Sequence, residues 1–156
     1  MFKAVAMGAS AGGIPLLRKI LGALPTDYPL ALLIVVHIPA RSSCNLVELF
    51  SYRCALPVRM ATDKAEIKPG YVYIAPPDYH LLVENSRYLA LSVEAPVQSV
   101  RPSIDVLLQS ASEVFEKQLI AVILSGANRD GAAGMAQVKE LGGLTIVLNP
   151  LLTDFN

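Results

Sequence analysis

The chain has 156 residues, with 13 basic side chains balanced by 13 acidic ones, a length that fits one domain burying about two thirds of its unfolded surface without metal or disulfide staples. Zero net charge, with no basic run longer than Arg18-Lys19, lacks the electrostatic footprint that a phosphate backbone demands, so nucleic acid is not an expected partner. The longest apolar stretch, Leu30 to Val36, is too short to cross a bilayer and the N-terminus has no signal-peptide shape, so a cytoplasmic protein without membrane insertion is expected.

Phe2 to Met7 reads as a strand, broken by Gly8-Ala9-Ser10-Ala11-Gly12-Gly13 and followed by helical periodicity. In that helix Pro15 occupies the first turn, Leu17, Ile20, Leu21 and Leu24 share a face, and Pro25 ends it. Leu30 to Val36 has the continuous apolar pattern of a strand buried on both faces, and His37 follows directly. Ser42 or Ser43 is expected to cap a second helix over about 44–53. Cys44 and Cys54, in or beside that helix, fit neither a metal pattern nor a disulfide framework and are expected to be reduced.

Short strands are predicted over Val58–Ala61 and Tyr71–Ala75, then a hairpin of His80–Glu84 with Tyr88–Val93. Helical spacing returns over Ser103–Lys117, Leu119–Leu124 is a second fully apolar strand, and Ser125–Gly131 is a loop. A helix over Ala132–Leu141, stopped by Gly142-Gly143, precedes a last strand, Leu144–Leu148. The pattern predicts an α/β three-layer sandwich: a mainly parallel, doubly wound sheet with an antiparallel insertion near residues 71–93.

In such sheets the loops at the carboxyl ends of the strands form the ligand crevice. Ser10, His37 and Asp130 lie in or beside three of those loops. A serine hydroxyl becomes a nucleophile when an imidazole takes its proton, and the imidazole needs a carboxylate to hold its tautomer and stabilise its cation. Gly8-Ala9-Ser10-Ala11-Gly12 matches the G-x-S-x-G elbow, although a lone serine there more commonly caps the following helix. The helix start offers backbone N–H groups for an oxyanion. His80 is a candidate cleft or supporting residue, and Asp130, before Gly131, has the simpler alternative of an Asx turn or a cap. The order Ser, His, Asp departs from the α/β-hydrolases, and the glycine loop matches neither a dinucleotide fingerprint nor a P-loop.

These residues, with Val36-His37-Ile38-Pro39, Tyr73-Ile74-Ala75-Pro76-Pro77, Pro102-Ser103-Ile104-Asp105 and Gly126-Ala127-Asn128-Arg129-Asp130-Gly131-Ala132, resemble the catalytic domain of the chemotaxis methylesterase CheB over residues 2 to about 148. The resemblance implies hydrolysis of glutamate methyl esters on chemoreceptor helices, with glutamine deamidation as a related reaction, and no metal or organic cofactor. It implies Ser10 as nucleophile, His37 as general base and acid, Asp130 as orienting carboxylate, and the backbone N–H groups of Ala11 and Ala127 as oxyanion donors; His80 and Asn128 are the expected substrate-cleft residues. The receptor is the implied substrate, with a methyltransferase or a receiver protein as further partners.

Two departures shape the domain expectation. The chain begins at the catalytic strand, without the family's usual receiver domain, and the family's last elements are missing after about residue 150. An uncovered apolar surface would favour a homodimer, a fragment or weak stability. Two rival readings carry different chemistry: a docking module for receptor helices or a partner enzyme that has lost turnover, and an anion-binding domain using the helix start near Gly12 and Gly13.

Overall fold

The structure, a computed structural model, describes residues 1–39, 42–124 and 129–148. Among these, eight strands and four helices follow in chain order: β1 (Ala4–Ser10), α1 (Ile14–Gly22), β2 (Ala31–His37), α2 (Leu46–Ser51), β3 (Val58–Met60), β4 (Val72–Ile74), β5 (His80–Val83), β6 (Leu89–Ser92), α3 (Ile104–Phe115), β7 (Leu119–Leu124), α4 (Ala132–Glu140) and β8 (Leu144–Leu148). Six strands form one parallel sheet in the order β3-β4-β2-β1-β7-β8, and β5 and β6 form a separate antiparallel hairpin.

Alternation along the central strands sorts side chains into two cores. Val5, Met7 and Ala9 of β1, with Leu32, Ile34 and Val36 of β2, pack against Leu17 and Leu21 of α1 and Phe50 of α2. Ala4 and Ala6, with Leu33 and Val35, pack on the other face against Leu107, Leu108 and Ala111 of α3 and Leu81 and Leu89 of the hairpin. Because side chains alternate with a period of two, Ser10 and His37 fall on this second face, the one α3 covers.

Three expectations need correction. The strand at Tyr71–Ala75 does not belong to the antiparallel insertion: β4 runs parallel to both β2 and β3 inside the main sheet, and the insertion is β5–β6 alone. A three-residue strand buried throughout has no alternation to betray its partner. The second helix is shorter than the 44–53 expected and is capped by Asn45, whose Oδ1 accepts from Glu48 N–H, and not by Ser42 or Ser43. The first strand extends three residues past Met7 to Ser10, since small residues there still fit between two neighbours.

Gly8 explains one close approach. A Cβ built there would lie 2.6 Å from the Ile104 side chain, so the bare glycine lets the start of α3 press against β1 just below Ser10.

Candidate active site

β1 lies between β2 and β7, where the winding of the sheet reverses, and its carboxyl end opens on the crevice typical of such switch points. Ser10 is the last residue of β1 and pairs in register with His37, the last residue of β2. Neighbouring positions in register on one face bring their Cβ atoms to about 5 Å. Ser10 has extended backbone and its hydroxyl does not cap the 3-10 turn at Ala11–Gly13 that leads into α1. The capping role that a lone serine commonly takes is therefore not the one seen.

His37 Nε2 donates to Asp130 Oδ2 at 2.8 Å. The ring is mostly covered, and the carboxylate side chain is fully shielded from solvent. Asp130 also accepts from Ser103 Oγ at 2.7 Å, Ile104 N–H at 2.5 Å and Asp105 N–H at 2.9 Å. Those backbone donors are at the N-terminus of α3, where helix N–H groups lack intrahelical partners and the dipole favours an anion. Burial alone would raise the Asp130 pKa. The hydrogen bonds from His37, Asp105, Ser103 and Ile104 outweigh it and hold the carboxyl below its ordinary range, hence ionised.

An ionised acceptor fixes the histidine tautomer. With that acceptor on Nε2, a neutral ring carries its proton there and keeps its lone pair on Nδ1.

Asp105 mirrors Asp130. Its Oδ1 accepts from Gly131 N–H at 2.9 Å and Gly134 N–H at 2.7 Å, the first donors of α4. Burial is the main cause that pushes its carboxyl above the ordinary value, with the Asp130 charge adding to it against the two backbone bonds. Sequence reasoning took Ser103 and Asp105 only as a helix start. The available signal was an acid lying on the same helix line as Leu108 and Ser112, where a carboxylate is buried and must find donors.

His80, expected at the cleft, is only 2% exposed. Its Nε2 donates to Ala95 O at 3.0 Å and its Nδ1 accepts from Ser103 N–H at 3.2 Å. Both nitrogens are used internally, and the ring ties residue 95 to the N-cap of α3, in keeping with the supporting alternative of the sequence reading. Ala127 and Asn128 lie outside the described residues.

A cavity of about 630 Å³ opens beside His37, walled by Ile38, Leu46, Met60, Pro77, Val100 and Arg101 among others. It is mostly apolar and far larger than one glutamyl side chain. Among the described residues no group of three or more His, Cys, Asp or Glu is placed to hold a metal, and no helix is long and apolar enough to cross a membrane.

A serine, a histidine and a buried carboxylate converging at one end of a parallel sheet admit several families. The family model described as CheB methylesterase matches residues 5–153. The chain belongs to the CheB methylesterase family. A relative from Leptospira interrogans serogroup Icterohaemorrhagiae serovar copenhageni is 46% identical over 98% of this chain and 79% of its own length; it is provisionally named a protein-glutamate methylesterase/protein-glutamine glutaminase. A Cupriavidus pinatubonensis protein-glutamate methylesterase/protein-glutamine glutaminase 2 is 42% identical over 92% of this chain, which spans 41% of that protein. In three dimensions the chain is similar to the crystal structure of the Thermotoga maritima CheB methylesterase catalytic domain, with a TM-score of 0.87 and 36% identity over 93% of this chain and 78% of that one. The α/β fold with its antiparallel hairpin is the architecture of that CheB catalytic domain.

Proposed function

We propose that this CheB-type chain is a cytoplasmic serine hydrolase that removes methyl esters from glutamate side chains of chemoreceptors, with Ser10, His37 and Asp130 as its triad. The observation that carries the reading is the His37 Nε2 to Asp130 Oδ2 bond at 2.8 Å on a histidine in register with Ser10.

The chemistry follows from the tautomer. His37 Nδ1 takes the Ser10 proton as Oγ attacks the γ-carbonyl carbon of the methylated glutamate. Asp130 stays ionised and stabilises the imidazolium that forms. The tetrahedral oxyanion is received by the N–H of Ala11, with Ala127 as the second donor in this reading. His37 returns its proton to the departing methoxide, methanol leaves, and a glutamyl ester remains on Ser10. Water then attacks that ester with His37 as base, restoring the hydroxyl and releasing glutamate. An amide leaving group enters the same cycle with ammonia in place of methanol, which gives glutamine deamidation.

Replacing Ser10 by Ala is expected to reduce methanol release from carboxyl-methylated receptor to background, a loss on the order of 10⁶-fold in kcat. A folded Ser10→Ala protein that released methanol at the parental rate would overturn the mechanism. Receptor helices are the proposed macromolecular substrate, with the apolar cavity beside His37 receiving side chains next to the ester.

A further inference from the structure

The N-terminus of α4 starts at Gly131, which has no side chain with which to cap its own helix. Its first donors would be orphaned in a buried setting. Asp105, from the first turn of α3, supplies the missing acceptor for both Gly131 and Gly134. In return, Asp130, the residue just before Gly131, accepts from the backbone N–H of Asp105 itself. Asp130 therefore serves the helix that carries Asp105, Asp105 serves the helix that follows Asp130, and the two form a closed ring of bonds.

The surrounding packing leaves this ring little freedom. Gly131 sits at φ +112°, and a Cβ there would lie 2.5 Å from Ile123 Cδ1. A Cβ at Gly134 would lie 2.6 Å from Leu108 Cβ and 3.2 Å from Asp105 Oδ1. The segment is pressed against β7 and α3, and Asp105 is its polar anchor. Asp105 is 3% exposed, on the helix side that otherwise holds Ile104, Leu107 and Leu108.

We propose that Asp105 is a positioning residue for catalysis: by holding the Gly131 and Gly134 N–H groups on one oxygen it fixes the backbone immediately after Asp130, and through it the line of the Asp130 carboxylate to His37. The proposal rests on the Ser10, His37, Asp130 reading above. It differs from a simple cap in what it demands of the acceptor: the position of the oxygen matters and its charge does not. Asparagine, which places a carbonyl oxygen where Asp105 Oδ1 stands, preserves the function; a side chain that cannot reach Gly134 does not. Misplacing an orienting group by about 1 Å can cost about 10²-fold in rate while leaving substrate binding alone.

The test uses the whole chain and a fluorophosphonate that phosphonylates an activated serine with loss of fluoride, resolved into a maximal labelling rate and an inhibitor affinity. The parent is expected to label at Ser10, and Ser10→Ala not at all. Asp105→Ala, with folding checked by circular dichroism, is expected to label about 10²-fold more slowly with its inhibitor affinity within about twofold of the parent. Asp105→Asn is expected to keep a rate within about threefold of the parent. If Asp105→Ala does not fold, Asp105→Ser, too short to reach both donors, is judged by the same criteria. A folded Asp105→Ala or Asp105→Ser protein labelled at the parental rate overturns the proposal, as does an Asp105→Asn protein as slow as the alanine variant. A parent labelled normally in those experiments keeps the nucleophile reading intact, whereas an unlabelled parent overturns that reading and the proposal together.

Discussion

Asp130 is bonded to the His37 ring and Ser10 stands in register with His37 on the neighbouring strand, and the two oxygen-bearing groups are treated in opposite ways. Asp130 is buried, with four donors converging on its two oxygens from His37, Ser103, Ile104 and Asp105. Ser10 is half-buried, makes no capping bond to the turn that follows it, and has a glycine whose added Cβ would lie 3.9 Å from its Oγ. The difference fits the work proposed for each group. An orienting anion gains from every donor, because each bond holds it in place and keeps it charged. A nucleophile loses reactivity with each bond that occupies its lone pairs, so it stands at a strand end among small residues.

The sharpest way to break this contrast is to remove a charge from the saturated side. Asp130→Asn puts an amide NH₂ among four donors and lets His37 adopt the other tautomer, so kcat for methanol release is expected to fall by about 10⁴-fold. A loss of less than about tenfold would mean that the histidine needs no fixed orientation. Next in size is the packing that brings the donors to the carboxylate. Gly8→Ala sets a methyl group 2.6 Å from Ile104 and should destabilise the fold by about 1–3 kcal/mol, read from urea unfolding, with a matching fall in kcat as the start of α3 is displaced.

The two acids respond oppositely to pH. Asp130 lies below its ordinary value of 3.8 in the folded chain, so its stabilising contribution is present above the unfolded value and is lost as pH falls through the folded one. Asp105 lies above 3.8, so its contribution is full below that value and is lost as pH rises through the raised one. Thermal melts from about pH 3 to about pH 7 should therefore show Asp130→Asn losing ground to the parent as pH rises, and Asp105→Asn gaining on it. Parallel curves would mean that the two carboxyls share one environment. The smallest effect belongs to the open side: at Gly12 an added methyl meets Ser10 Oγ at ordinary contact distance, and Gly12→Ala should change phosphonate labelling by about twofold at most.

The same contrast explains what the sequence made legible. Ser10 and His37 announce themselves because each ends a strand whose apolar run and glycine turn are local patterns, and register then does the rest. The parallel sheet, its helices and the hairpin were readable for the same reason. Asp105 was not, because its role depends on contacts 26 and 29 residues away that no periodicity encodes. His80 lies in a hairpin strand, where an imidazole can face a cleft or turn inward, and only the carbonyl of Ala95 and the N–H of Ser103 decide between them. The place of β4 in the main sheet is not legible either, because three buried residues carry no strand-pairing signal.

The separation of 93 residues between His37 and Asp130 has a consequence for biosynthesis. A chain emerging from the ribosome presents its serine and imidazole early, yet their acid partner gains its donors only when α3, β7 and the start of α4 have docked. In the proposed mechanism a nascent chain should thus stay inert toward esters until α3, β7 and the start of α4 have docked, and hydrolytic competence should arrive abruptly with that closure.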